Sequence, residues 1–177
     1  MPGDPFLYGD GVVLCAVDED DLPFLNRNIN NPAVRRPLTS SIPRTMTETR
    51  RYFEEVITKE EDDFHLLICT PEDHTPVGMI TLFKVARREG HGELAIWVDP
   101  EFHGNGYGTA AARCIVDFAF DEQRLHRIQA RVLETNPASQ RIWENLGFTH
   151  EGTHRDEDYD DGQFVDMLYY GLLEDEW

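Results

Sequence analysis

The chain has 177 residues, and its 34 acidic residues outnumber its 16 basic residues, which gives a formal net charge of −18. With 40% hydrophobic residues, that length suits one globular domain and argues against a disordered chain. The acidity argues against binding to bare nucleic acid, whose phosphates attract basic surfaces. No apolar run approaches the ~20 residues of a membrane helix, and no basic, apolar leader follows Met1, so we expect a cytoplasmic protein without membrane contact.

The acid excess has two interpretations, which are capture of a cationic substrate and a solvated surface suited to concentrated salt. Lysine is nearly absent, with only Lys59 and Lys84, and the acids are spread along the chain, which favours salt adaptation. The three cysteines form no C-x-x-C pair and lie among apolar neighbours, at Cys15, Cys69 and Cys114. We expect buried, free thiols in a reducing compartment.

The first half of the chain predicts a strand, two helices and a three-strand meander. The apolar run 12–17 predicts a buried strand, and the acid-rich start that follows predicts a helix over 19–30. Residues 33–46 contain Pro37 and Pro43 and are typical of a loop. A second helix is expected over 50–58, after Thr47. Strands are then expected at 64–69, 76–85 and 93–98.

The second half predicts two helices that alternate with strands, and a closing hairpin. An apolar helix is expected over about 107–121, followed by a strand at 128–133. The next helix runs from Asn136 to Leu146 and ends at Gly147. The closing hairpin turns at 160–162, and its last strand spans 164–172. With neither linker nor repeat, this order predicts a single α/β domain over 1–177, with a mixed, mostly antiparallel sheet flanked by helices.

The sharpest motif is the loop His103-Gly104-Asn105-Gly106-Tyr107-Gly108-Thr109, which follows a predicted strand and opens a predicted helix. Glycines uncover backbone N–H groups, and a helix N-terminus adds roughly half a positive charge, so the loop predicts a phosphate or pyrophosphate site. The dinucleotide pattern fails because Thr109 stands at the third glycine, and the P-loop fails because no Lys-Ser/Thr follows. A tight turn without a ligand is the alternative for the loop taken alone.

A second segment strengthens the first interpretation. Asn136-Pro137-Ala138-Ser139 opens a helix that Leu146-Gly147-Phe148 closes. Together the two segments resemble the GNAT N-acetyltransferase superfamily, whose R/Q-x-x-G-x-G/A pattern falls on 103–108, with His103 at the usual Arg or Gln. The closing hairpin resembles that of the Rim-type N-terminal acetyltransferases of ribosomal proteins. The resemblance covers about 10–172 and implies acetyl-CoA as co-substrate.

The resemblance also implies which residues bind the cofactor. The backbone of 103–109 would hold the pyrophosphate, although Asn105 and Thr109 also suit ordinary turn and cap chemistry and Tyr107 suits helix packing. The strand before the loop is expected to splay from the next strand and to expose Trp97 and Val98 to the pantetheine. The N–H of Val98 would face the thioester oxygen. Asn136 is expected to contact the pantetheine, to cap its helix, or both.

Two catalytic tasks are then expected to need side chains. Only a neutral amine attacks, and a carboxylate can take its proton, directly or through water; Glu93 and Asp158 are the two candidates for that base. Many superfamily members protonate the leaving thiolate with a tyrosine, but this chain has Trp143 at that position. Rim-type relatives imply Ser139 as the donor instead, and its alternative is a hydroxyl that bonds only the backbone.

The acceptor is expected to be an amine, with a ribosomal or other protein N-terminus favoured by the Rim-type likeness. The alternatives are a small amine, such as a polyamine, amino acid or antibiotic, and a CoA-binding module without turnover. The acceptor site is expected between the loop 30–46 and the last hairpin. Superfamily members often pair through their C-terminal strands, so a homodimer is one expectation. No metal is expected, because the acidic run 156–162 lacks the EF-hand glycine and glutamate.

Overall fold

A computed structural model describes residues 2–59 and 62–177, and within them eight strands form one sheet in the order β1-β2-β3-β4-β5-β6-β8-β7. The strands are β1 (Pro5–Gly9), β2 (Val12–Ala16), β3 (Phe64–Cys69), β4 (Pro76–Ala86), β5 (His91–Val98), β6 (Arg127–Leu133), β7 (Thr149–Asp160) and β8 (Gln163–Leu173). The helices are α1 (Leu22–Ile29), α2 (Pro32–Arg35), α3 (Met46–Tyr52), α4 (Tyr107–Asp121) and α5 (Pro137–Asn145). A π-helical turn, Phe53–Ile57, prolongs α3.

The sheet splits at the boundary between β5 and β6. Every neighbouring pair of strands is antiparallel except β5 and β6, which are parallel. Their pairing ends at Leu94 and Ala130, although β5 continues to Val98 and β6 to Leu133. The two strands therefore separate over their carboxyl-terminal halves. The predicted mixed, mostly antiparallel sheet and the predicted splay are both confirmed.

Two apolar layers cover the two faces of this sheet. On one face α4 and α5 pack against alternate strand residues such as Leu14, Leu94 and Ile128. On the other face α1 and the π-helical turn after α3 pack against the intervening residues, which include Cys15 and Leu67. The alternation follows from the two-residue period of a strand. Both layers pack against β5, which leads into the glycine-rich loop 103–109.

Three elements differ from the predictions. Strand β1 was not predicted, because its five residues include Pro5 and Gly9 and it lies at the edge of the sheet. The predicted loop 33–46 contains most of α2, a single turn that Asn31 caps through its side chain. Helix α3 begins at a capping box formed by Thr45 and Glu48, earlier than the predicted start.

The three cysteines are buried and free, as predicted. Burial raises the pKa of the Cys114 thiol to about 11, and it also raises the pKa values of Cys15 and Cys69. These thiols therefore stay protonated at neutral pH. Among the described residues, every helix is too short or too polar to cross a lipid bilayer.

Candidate functional site

The split between β5 and β6 opens into a groove of about 570 Å³. Its walls come from the end of β5, the start of α4, the first two turns of α5 and the segment 33–38. Of the sequence-predicted site residues, ten line it: Trp97, Val98, His103, Gly104, Gly106, Tyr107, Gly108, Thr109, Asn136 and Ser139. Three others, Glu93, Asn105 and Asp158, lie outside its lining.

The N-terminus of α4 faces this groove with free backbone donors. Gly104 and Gly106 have φ angles of +81° and +82°, a conformation that glycine adopts without the strain of a Cβ atom. The first hydrogen bond within the helix runs from the Ala110 N–H to the Gly106 oxygen, at 3.0 Å. The N–H groups of 107–109 precede it and are available to an anion.

Gly108 serves a second purpose, which is close packing. A Cβ atom at this position would lie 3.0 Å from Cδ1 of Ile142 in α5. The missing side chain therefore lets α4 approach α5 at the point where both border the groove.

His103 fastens the glycine-rich loop to β5. Its Nε2 lies 2.9 Å from the Val98 carbonyl oxygen, and because a carbonyl only accepts, that nitrogen carries the proton. Asn105 Nδ2 donates to the Phe102 oxygen at 3.0 Å, which is turn chemistry. The imidazole thus holds the loop in place of the arginine or glutamine that the superfamily pattern has there.

The end of β5 presents a backbone donor to the split. The Asp99 N–H donates to the Val77 oxygen of β4, at 2.8 Å. Because consecutive N–H groups along a strand point to opposite edges, the Val98 N–H points away from β4, toward the gap that β6 leaves. This is the orientation that a donor to a thioester oxygen requires.

Asp99 anchors this end of β5 to α1, a role that the sequence analysis missed. It is 4% exposed and accepts hydrogen bonds from Arg27 and Asn28 of α1, at 3.2 and 3.1 Å. Burial alone would raise the pKa of the Asp99 carboxyl, but the hydrogen bonds from the Glu101 N–H, Asn28 and Arg27 outweigh it and lower that pKa. The only sequence signal was an acid between a strand and a proline.

The start of α5 brings three polar groups together. Asn136 caps the helix, since its Oδ1 accepts from the Ser139 N–H at 3.2 Å. One turn later, the indole Nε1–H of Trp143 donates to Ser139 Oγ, also at 3.2 Å. Trp143 is 1% exposed, so its ring is fixed by the surrounding core.

Glu93 lies beside the groove, where its buried carboxylate is paired with two partly exposed cations. Its carboxylate accepts from Lys84 Nζ at 2.9 Å, Arg131 Nε at 2.7 Å and Gln129 Nε2 at 3.3 Å. Burial favours the neutral acid, but the hydrogen bonds from Lys84 and Arg131 prevail, and the pKa of Glu93 is lowered. Arg131 also lines the groove, one residue beyond the last pair of β5 and β6.

Asp158, the other predicted base, lies on β7 opposite Val165. Its Oδ1 accepts from the Tyr159 N–H at 2.7 Å. The acids that do line a cavity nearby are the next two of the hairpin, Asp160 and Asp161.

That second cavity, of about 320 Å³, adjoins the groove and shares Ala33, Pro37 and Asn136 with it. Arg36 pairs with Asp161 across it at 3.3 Å, and Thr135 Oγ1 donates to Asp160 Oδ2 at 2.9 Å. It lies between α2 and the β7–β8 turn, where the acceptor site was expected. We call it the hairpin pocket.

Within 2–59 and 62–177, no group of three His, Cys, Asp or Glu side chains is arranged to hold a metal ion.

Comparisons with known proteins give a consistent family. The sequence model of the acetyltransferase (GNAT) domain matches residues 12–149. YnaD of Bacillus subtilis, named an uncharacterized N-acetyltransferase, is 34% identical over 90% of this chain and 76% of its own length. YdaF of the same organism, whose name proposes a ribosomal N-acetyltransferase, is 36% identical over 59% of this chain. The chain spans only 57% of YdaF.

The fold has close structural counterparts. Spermidine N-acetyltransferase from Vibrio cholerae, solved in complex with CoA and spermine, matches with a TM-score of 0.88. The match covers 94% of this chain and 97% of that one, at 20% sequence identity. At that identity the likeness shows a shared fold.

Proposed function

The chain belongs to the GNAT acetyltransferase domain family, and on that premise we propose that it is an acetyl-CoA-dependent N-acetyltransferase. The observation that carries the proposal is the coincidence of two features in one groove. The N-terminus of α4 offers backbone donors to a pyrophosphate, and the split beside β5 offers an open strand edge to the pantetheine. Acetyl-CoA supplies the acetyl group as a thioester.

In this proposal each residue has a defined task. The N–H groups of 107–109 bind the pyrophosphate, and the Val98 N–H stabilises the negative charge that develops on the thioester oxygen. The amine nitrogen bonds to the acetyl carbon, the carbon–sulfur bond breaks, and Ser139 gives the leaving sulfur its proton. The proton that the amine loses goes to a carboxylate, directly or through water.

Binding is tested by thermal unfolding in molar potassium chloride, with and without acetyl-CoA. At a hundredfold excess over its dissociation constant, a ligand of the folded state adds about 2.7 kcal/mol of stability. Gly106→Glu places a carboxylate where the pyrophosphate would bind and is expected to abolish the shift. Gly147→Glu is the matched control, because Gly147 also has a positive φ, of +85°, and open space around it, but it lies outside the groove.

Both glutamates should cost a similar stability, about 1–2 kcal/mol for a side chain in left-handed backbone. Only Gly106→Glu should lose the response to acetyl-CoA. An absent shift in the folded wild-type protein contradicts the cofactor assignment, and an equal loss in both variants contradicts the assignment to the loop.

For the acceptor we propose a protein N-terminal α-amine. The hairpin pocket supports it, because it opens beside the groove and its rim is formed by a short helix and a hairpin turn, which leaves room for a chain to continue outward. The name of YdaF points the same way. The α-amine titrates near ~8, so a useful fraction is neutral at physiological pH.

A polyamine is the second candidate, and the observation that favours it is the pair Asp160 and Asp161 in the hairpin pocket. Carboxylates attract a polycation, and the Vibrio cholerae counterpart was solved with spermine. Mass spectrometry of reactions with short unblocked peptides, with the same peptides blocked at the N-terminus, and with spermidine separates the two. Acetylation of spermidine alone contradicts the N-terminal proposal.

The base remains a choice between Glu93 and Asp158. Glu93 is nearer the split but is held as an anion by two cations, which makes it a weaker base. Each is tested by its amide variant, and full activity in both Glu93→Gln and Asp158→Asn contradicts the pair.

We also propose a homodimer and a cytoplasmic location. Strand β7 forms one outer edge of the sheet, so a homodimer through the C-terminal strands would use it, and sedimentation analysis tests that. The buried, free thiols of Cys15, Cys69 and Cys114 suit a cytoplasmic location, and cell fractionation tests it.

A further inference from the structure

Trp143 stands where many members of the superfamily carry a tyrosine acid, and its indole does something a tyrosine acid does not. The Nε1–H donates to Ser139 Oγ at 3.2 Å, and both residues line the groove. An indole N–H is a hydrogen-bond donor only, and at physiological pH it neither ionises nor accepts a second proton. Trp143 therefore cannot take the proton of Ser139, and the hydroxyl keeps that proton to donate elsewhere.

Core packing holds the Trp143 Nε1–H against the Ser139 oxygen. The indole is 1% exposed and packs on Phe148, with 5.1 Å between the ring centroids. The backbone of Ser139 is held separately by the Asn136 cap. A hydroxyl near a helix start often turns back to a backbone oxygen, but here one of its acceptor positions is already occupied by a fixed donor, which restricts its rotation.

We propose that Trp143 is a positioning residue that acts through Ser139, directing the hydroxyl proton toward the sulfur of coenzyme A and stabilising the serine oxygen as that proton leaves. The inference rests on the proposed function, since it takes Ser139 as the proton donor. Proton balance is simple: the thiolate gains the Ser139 proton, and solvent returns one to the serine. The tryptophan thus supplies through a hydrogen bond what the usual tyrosine supplies through its own proton.

The first test measures the pKa of the coenzyme A thiol bound to the protein, which needs no turnover. A hydroxyl aimed at the sulfur stabilises the thiolate, so the bound thiol should titrate below the free one, near 8.5 for an ordinary thiol. Thiolate absorbance in the ultraviolet, recorded against the coenzyme-free protein, reports it. The protein's own thiols interfere little, because Cys114 titrates at about 11 and the pKa values of Cys15 and Cys69 are also raised.

Three variants decide the outcome. Ser139→Ala and Trp143→Phe should raise the thiol pKa to the same extent, and the double variant should raise it no further. Trp177→Phe is the matched control, because it removes an indole hydrogen bond of 2.7 Å to Asp117, outside the groove. It should leave the thiol pKa unchanged.

The second test is kinetic and separates orientation from packing. Trp143→Phe should lower kcat threefold to tenfold and leave the KM for acetyl-CoA nearly unchanged. In a protein that already carries Ser139→Ala, Trp143→Phe should lower kcat little further, so that the two losses of kcat do not multiply. Phe148→Leu loosens the packing of the indole and keeps its N–H, so it should lower the melting temperature and leave the coupling between Trp143 and Ser139 intact.

The failures are distinguishable. If the thiol pKa responds to Ser139→Ala but not to Trp143→Phe, the positioning role is wrong while Ser139 keeps its own. If neither variant changes the thiol pKa, the Ser139 hydroxyl does not stabilise the thiolate, and the inference is wrong. If coenzyme A binds with the expected pKa pattern but no amine is acetylated, the proposed function fails and the role of Trp143 stands.

Discussion

At the scale of single residues, the cluster around Glu93 holds a carboxylate away from water. A buried carboxylate is stable only when its charge is compensated, and here two cations and an amide do so. Lys84 reaches it from a left-handed backbone position, with φ at 52°, in an irregular part of β4. Such strain persists only where the surroundings enforce it.

Glu93→Gln tests this cluster. It should lower the free energy of unfolding at pH 7 by about 1–2 kcal/mol, less than for a wholly buried ion pair because both cations are partly exposed. The pKa of Glu93 is lowered on folding. Its contribution to stability is therefore fully present above about pH 4.5, the ordinary pKa of a glutamate, and is lost as the pH falls through the pKa of the folded protein. Urea unfolding from pH 7 down to pH 3 should therefore show a shallower acid limb in the variant.

The same variant separates a structural role from a catalytic one. If Glu93 only holds Arg131, activity per folded molecule should change little when assays are run well below the melting temperature. A loss of kcat beyond a hundredfold with unchanged stability contradicts the structural role and supports the base.

The sequence could not reveal this cluster. Lys84, Gln129 and Arg131 lie 9, 36 and 38 residues from Glu93. The antiparallel pairing of β4 and β5 brings Lys84 to it, and the parallel pairing of β5 and β6 brings Gln129 and Arg131. By contrast, the loop 103–109 could be predicted because its chemistry is local. Glycines, a preceding strand and a following helix are contiguous in the chain, and backbone N–H groups do not depend on distant side chains.

At the scale of elements, the hairpin pocket depends on a contact between α2 and the β7–β8 turn. Arg36 and Asp161 make this contact, and both side chains are well exposed, so it should contribute under about 1 kcal/mol to stability. In the proposed acceptor site, the Arg36 cation would compete with an incoming amine for the Asp161 carboxylate.

Opposite effects on the acceptor KM are therefore expected. Asp160→Asn with Asp161→Asn should raise the KM for a cationic acceptor several-fold, and Arg36→Ala should lower it, with kcat nearly constant in both. Asp156→Asn is the control, because it removes one such carboxylate from the strand that carries Asp160, but outside the pocket. Steady-state kinetics at low salt measure the effect, and a KM that is unchanged in all three variants contradicts the pocket.

Long, strongly periodic elements were predictable, and short ones were not. The apolar period of α4 is visible in the chain because the helix packs on the sheet, and the apolar runs of β3 to β5 are visible because both faces of these strands are covered. Helix α2 has only four residues and no period to detect. Thr45 and Glu48 form the capping box at the start of α3. The sequence contains this pair, but the prediction placed the start of the helix after Thr47.

At the scale of the whole molecule, the charge of −18 sets the response to salt. Like charges spread over a surface repel each other, and molar salt shortens the Debye length to ~3 Å, which removes most of that repulsion. The melting temperature should therefore rise between low and molar potassium chloride. Equal thermal stability in both contradicts salt adaptation, and a rise with an equimolar uncharged osmolyte points to solvent exclusion instead.

The split in the sheet has one more consequence. Strands β1 to β5 and strands β6 to β8 share a ladder of only four residue pairs, from His91 to Leu94 on one side. Beyond Leu94 and Ala130 the facing edges of β5 and β6 are not paired with each other. A ligand in the gap could hydrogen-bond to both edges and so replace the missing strand pairing. Amide hydrogen exchange should then slow on both sides of the gap when acetyl-CoA binds, at Ile96 and Val98 and also across it in β6. In the proposed complex, acetyl-CoA would thus act as a ninth strand between β5 and β6.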